Sequence, residues 1–184
     1  MLKRLYSEKE FQNFAREFKD AIKYCEVPAS YFATGKTYAW FKNGKIIAGF
    51  ALINGYDNLR AVQHLPQKIK LRWRYTKIGR NLCEHTGFFI TPKLKGIDKI
   101  IYGLQMFWIC LFHNRQYFIY SYRYSETHLE KYYSTGKPLS VYSGPLKPLE
   151  GYNQNETPEN EHVEVLSKVG LAKIIFYRIL KIIF

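Results

Sequence analysis

Asn43-Gly44 stands between two runs rich in β-branched and aromatic residues, 37–41 and 45–53. In that setting the dipeptide is a strong signal for a two-residue type I′ hairpin, because both turn positions need a positive φ. The hairpin starts an antiparallel sheet, and its flanks decide the fold class. Before it, Ser7-Glu8-Lys9-Glu10 has the form of a capping box. Phe11, Phe14, Ala15, Phe18 and Ile22 then make one apolar stripe on a helix over 8–24. Pro28 ends it, and 29–33 forms a short second helix before Gly35.

Beyond the hairpin, helical and extended patterns alternate. Residues 54–67 show no clear period. In 68–75 cations alternate strictly with apolar residues, which predicts a strand with one basic and one apolar face. A further strand over 83–91 is broken off by Pro92. The run 97–113 is so apolar that it reads as a buried helix, with Ile100, Ile101, Leu104, Phe107, Trp108 and Leu111 as core. A fifth strand at 117–122, a short helix at 125–134 with Gly136 beyond its end, and a last strand at 139–143 complete a body of residues 1–148. Pro145, Pro148, Gly151 and Pro158 mark a polar, acidic linker over 149–162. Residues 163–184 read as a helix whose broad apolar face holds Leu171, Ile175, Phe176, Ile179, Leu180, Ile182 and Ile183, with Lys173, Arg178 and Lys181 opposite.

The formal net charge of +13 is carried by the body, while 149–167 holds five acids and no base. Such a body favours a polyanionic partner: a phosphate, an acidic carrier protein, anionic lipid or nucleic acid. Three cysteines, Cys25, Cys83 and Cys110, fit neither a disulfide framework nor zinc spacing, which predicts a reducing, cytoplasmic setting and no metal. The longest apolar run, 100–112, is too short to span a bilayer.

The segment Cys83-Glu84-His85-Thr86-Gly87-Phe88-Phe89-Ile90-Thr91-Pro92-Lys93-Leu94-Lys95-Gly96 resembles the fourth strand and pyrophosphate loop of the GNAT superfamily of acyl-CoA-dependent N-acyltransferases. The order of elements over about residues 5–145 is similar to that family, and Tyr132, four residues before Gly136, looks like the tyrosine that closes its active site. The resemblance implies an α/β fold, a mixed central sheet flanked by helices, here followed by the polar linker and the C-terminal amphipathic helix. It also implies an acyltransferase that takes an acyl thioester, from acyl-CoA or acyl carrier protein, and passes the acyl group to an amine. Glu84 would then be the base and Tyr132 the acid for the leaving thiolate.

In that family the fourth and fifth strands splay apart. The thioester's pantetheine arm would pair with main-chain groups near Phe88, Phe89 and Ile90, and its phosphates would lie over Lys93, Lys95, Gly96, Ile97 and Lys99 at a helix N-terminus. Asp98 stands where the family has a small residue, and a carboxylate there would repel pyrophosphate. His85, next to Glu84 on the strand, would point to the opposite face and not share a substrate with it.

Two other readings use different residues. Lys68, Lys70, Arg72 and Arg74 on one strand face would suit nucleic acid, but alternation sends Trp73 and Tyr75 to the other side, which disfavours that partner. The basic helix 163–184 would lie on an anionic membrane at the inner face or pack on the body. A non-catalytic basic module binding lipid or nucleic acid is therefore the alternative to the enzyme.

Overall fold

The computed structural model describes residues 1–23, 26–146 and 160–183, without the side chains of His128 and 178–183. The predicted linker and Cys25 lie largely outside that set. The elements run β1 (Leu2–Arg4), α1 (Glu8–Ile22), α2 (Ala29–Ala33), β2 (Lys36–Lys42), β3 (Lys45–Asn54), a 3-10 turn (Tyr56–Asn58) and α3 (Arg60–Gln63). They continue with α4 (Gln67–Arg74), α5 (Lys77–Arg80), β4 (Leu82–Ile90), α6 (Gly96–Leu111), β5 (Tyr117–Arg123), α7 (Thr127–Ser134), β6 (Leu139–Pro145), β7 (Asn160–Ser167) and α8 (Lys168–Ile183).

Among the described residues seven strands share one mixed sheet in the order β1-β2-β3-β4-β5-β7-β6, in which β4 and β5 pair in parallel. The helix-flanked α/β architecture expected from the sequence is present. Asn43 (φ 51°) and Gly44 (φ 74°) turn β2 into β3 with both dihedrals positive, as a type I′ turn requires. The Ser7–Glu10 capping box forms, and α1 lays Phe11, Phe14 and Phe18 on one face of the sheet against Phe32 and Phe89. The other face is covered by Tyr102, Met106 and Cys110 of α6, then by Ile174 of α8 against Tyr120 and Leu166. Central β3 is buried from Ile46 to Ile53 because both layers close on it.

Three expectations are corrected. Residues 68–75 are not a strand but belong largely to α4: Ile69 and Trp73, four apart, turn toward the core, while Leu71 is half exposed. The four cations are therefore spread around a helix, and Arg74 pairs with Asp57 at 2.6 Å, so the basic strand face proposed for nucleic acid does not form. Residues 160–167 are strand, where 160–162 were expected in the linker and 163–167 in the helix: Val163 and Val165 alternate with His162 and Glu164, and this segment inserts between β5 and β6. Finally, α6 is not buried all round. Its inner face is Tyr102, Met106 and Cys110, so the residues read as core turn toward solvent or half-buried edges.

The C-terminal helix is also rotated from its expected face. Ile174 is fully buried and Ile175 nearly so, while Phe176 is exposed; α8 packs on α6 and the sheet. Gly136 permits this contact, since a Cβ there would meet Gly170 O at 2.9 Å and Ile174 Cδ1 at 2.8 Å. No helix among the described residues is long and apolar enough to cross a membrane.

Candidate active site

The site is made by a failure of strand pairing. β4 and β5 are joined at Leu82–Tyr117, Cys83–Phe118 and Glu84–Ile119, and among the described residues no register pair follows. Beyond Glu84 the strands diverge, so β4 from His85 to Ile90 has β3 on one side and a cavity of about 900 Å³ on the other. A volume of this size suits a cofactor-sized ligand. Buried backbone amides and carbonyls need partners, so an open strand edge beside a cavity is a ready seat for an amide-bearing chain.

Gly87 sits at the bend in β4, where the β3 register shifts between Gly49 and Ala51. Its φ is +61°, and a Cβ would meet Phe32 Cε1 at 2.7 Å, so only glycine fits both the dihedral and the contact. Phe88, Phe89 and Ile90 all border the cavity. Phe89 is buried against Phe14 and Phe18, while Phe88 leans on His85.

At the cavity's far end, Leu94 N–H donates to Thr91 O at 3.1 Å, a turn that buries Leu94 and leaves Lys93 exposed. Lys95, Gly96 and Lys99 border the cavity, whereas Lys93 and Ile97 stand outside its wall. The first turn of α6 has no side-chain cap, and nothing lies within 4 Å of where a Gly96 Cβ would be. Free helix-terminal amides, open space and two lysines fit a phosphate group. Asp98 does not plug this seat: its carboxylate pairs with Lys42 of β2 at 3.3 Å.

Glu84 lies where the strands part. Only 4% exposed, it accepts from Ala61 N–H at 3.0 Å and bonds the Tyr31 hydroxyl, while Tyr31 also accepts from Arg60 N–H. Burial pushes its carboxyl above the usual carboxylate range, against the opposing pull of these bonds and of Arg60. A buried carboxyl with a raised proton affinity on a cavity wall is the kind of group that general base chemistry uses.

His85 also borders the cavity, contrary to the expectation that opposite strand faces would separate the two side chains: the gap passes through the sheet and meets both faces. Stacked on Phe50 and desolvated, His85 is held down to about 4 and stays neutral at pH 7.

Tyr132 and Tyr133 divide on α7. Tyr132 borders a second, apolar cavity of about 60 Å³, while Tyr133 borders both cavities and stacks on Tyr120 at 4.0 Å. Burial raises Tyr133, so it is a protonated donor at neutral pH. Sequence reasoning missed Tyr133, Tyr31, Arg60, His64 and Arg123. Among so many tyrosines only a family spacing singled one out, and Arg60 and His64 fall in the unpatterned stretch 54–67. Among the described residues no three His, Cys, Asp or Glu side chains are grouped to hold a metal.

Similar architecture occurs in solved structures of low sequence identity. FeeM, an N-acyl amino acid synthase from uncultured soil microbes, superposes with a TM-score of 0.67 at 15% identity, over 97% of this chain and 96% of that one. An N-acetyltransferase from Staphylococcus aureus Mu50 gives 0.58 at 12% identity, over 92% and 97%. The protein yncA from Salmonella typhimurium, solved with its cofactor acetyl-CoA, gives 0.54 at 8% identity, over 91% and 93%. No protein-family model and no curated protein sequence matches the chain. The fold is that of solved acetyltransferases, one of them of the GNAT family, and the likeness is one of architecture alone.

Proposed function

We propose that the protein transfers an acyl group from a thioester, acyl-CoA or acyl carrier protein, to an amine. The observation that carries this reading is the parted β4–β5 pair, with an uncapped, lysine-flanked helix end at one end of the cavity and a buried carboxylate on its wall. The pantetheine arm lies along His85–Ile90, and its phosphates sit over Lys95, Gly96 and Lys99. Glu84 takes a proton from the ammonium of the acceptor. The free amine attacks the thioester carbonyl, the C–N bond forms, and the C–S bond breaks. The departing thiolate takes its proton from a tyrosine of α7, and the second proton that the nitrogen sheds on becoming an amide restores that tyrosine. Its place on the walls of both cavities supports Tyr133 for that role over Tyr132.

Calorimetric titration with acetyl-, medium- and long-chain acyl-CoA and with acylated carrier protein tests the proposal. Saturable binding to at least one donor, followed by amine-dependent release of thiol, is the expected result. A chain that binds none of them is not an acyltransferase, and the non-catalytic basic module takes its place.

A further inference from the structure

Helix α6 is apolar on two opposite faces, and the fold uses one. Tyr102, Met106 and Cys110 pack on the sheet, while Ile97, Ile101, Leu104, Trp108 and Phe112, at spacings of four, three, four and four, line the outward side. Trp108 is 53% and Phe112 76% exposed, their rings stacked at 5.4 Å, and Ile97 is 67% exposed. Beside it, α8 turns Val169, Phe176 and Tyr177 outward. Single exposed apolar residues need no explanation, but a stripe along a whole helix does.

The charge around this face narrows what can cover it. Residues 93–115 and 168–184 hold a single acid, Asp98, which is already paired with Lys42. Of their cations, Lys95 and Lys99 belong to the cavity, and Arg115 and Lys168 donate to the carbonyls of Arg80 and His113. That leaves exposed Lys93 and Lys173, with Arg178 and Lys181 further along the sequence of α8, for an anionic surface. A second copy would bring a second net charge of +13 against the first, and like charges at an interface disfavour association. A bilayer containing anionic lipid is complementary on both counts: acyl chains for the stripe, headgroups for the lysines. Trp is favoured at the headgroup level, and α6 with its 16 residues is too short to span, so it lies in the plane of the surface.

We propose that the outer face of α6, with α8 beside it, is a docking surface for anionic membrane lipid. The membrane contact expected of 163–184 alone thereby moves to a two-helix face centred on Trp108. This proposal does not depend on acyl transfer.

The test is flotation of the full chain with phosphatidylcholine vesicles with and without phosphatidylglycerol. Wild type should float with the anionic vesicles, and the variant carrying Ile101→Ser and Trp108→Ser should bind them about tenfold or more weakly, since two apolar anchors are lost. Thermal melting checks that the variant folds. As a second readout on unaltered protein, brominated lipid should quench tryptophan fluorescence, because Trp40 is buried, Trp73 of α4 packs against the core and Trp108 is outward. Absence of vesicle binding, binding that ignores the double substitution, or fluorescence untouched by brominated lipid overturns the proposal. So does a stable dimer that Trp108→Ser converts to monomer, which would assign the face to a second copy.

Discussion

β4 is two different strands joined at Glu84. At Cys83 and Glu84 it has partners on both sides, and Asn54, opposite Cys83, is tied to His113 Nε2 at 2.9 Å. From His85 to Ile90 it has one partner and a cavity. The two halves are similarly apolar, so hydrophobic pattern alone does not separate them. The difference lies at a bend: Gly87 lets β4 turn away, and the crossover through Pro92 and α6 carries the chain back to β5 only at the closed end. Opening a parallel pair this way leaves main-chain groups to be satisfied by a ligand, which is how a scaffold becomes a site.

The largest effect is expected where the halves meet. Glu84→Gln should lower kcat at neutral pH by about 10²–10⁴ while donor affinity stays level, as loss of a general base does. Steady-state thiol release with saturating amine measures it, and a change below about threefold would put the base elsewhere. Next, Gly87→Val tests whether the bend is obligatory. A β-branched residue at φ +61° with its Cβ 2.7 Å from Phe32 should cost about 3 kcal/mol, or ~6–12 °C in Tm. A variant that melts like wild type would show that the opening does not need this glycine.

The open end should also be electrostatic and the closed end not. Lys99→Glu reverses a charge at the α6 terminus and should weaken binding of a phosphate-bearing donor by about tenfold, with little effect on acyl-pantetheine, which lacks the nucleotide phosphates. The closed end answers to pH instead. Burial, with Lys36, Lys168 and Arg115 nearby, holds His113 down to about 4, below the ordinary histidine value of 6.5. Between those limits the unfolded chain takes up a proton that the folded chain refuses, so stability present above pH 6.5 is lost as pH falls toward 4. His113→Gln keeps a partner for Asn54 and should flatten that loss by about 2–4 °C in melts across pH 7 to 4.5. Equal slopes would mean another group sets it.

How far the sequence revealed this comparison depends on what each segment buries. α1 was legible because its polar face meets water and its stripe of Phe11, Phe14 and Phe18 meets the sheet, so periodicity points inward. α6 was legible as a helix but not in orientation: when both faces are apolar, the pattern carries no inward direction, and Trp108 was assigned to the core from which it points away. Strict alternation over 68–75 spoke for a strand. Helical packing of Ile69 and Trp73 overrode it, since two anchors four apart suffice for one turn against the core. β7 followed a change in composition and was taken for more of the tail; its pairing with β5 and β6 is long-range, and local pattern does not encode it. The site divides the same way. Glu84, Phe88–Ile90, Lys95 and Gly96 lie close together in sequence and all border the cavity, whereas Arg60 and Tyr133 reach it from separate elements and Tyr31 meets it only through Glu84.

Asp98 gives the finest discrimination between the two ends. By sequence its carboxylate belongs in the phosphate seat, where it would repel a donor; in the structure it faces Lys42, 3.3 Å away and partly exposed. Exposed pairs of this kind contribute about 0–1 kcal/mol, so Asp98→Asn should leave Tm nearly unchanged and alter donor affinity by less than about threefold. If the carboxylate instead turned into the cavity, the same substitution would remove a repelled charge and tighten binding by about tenfold. Titration of the two proteins with one donor at low salt separates these cases. The small effect is the informative one, because it means that Lys42 of β2 holds the acid aside and leaves the amides of α6 free for an anion.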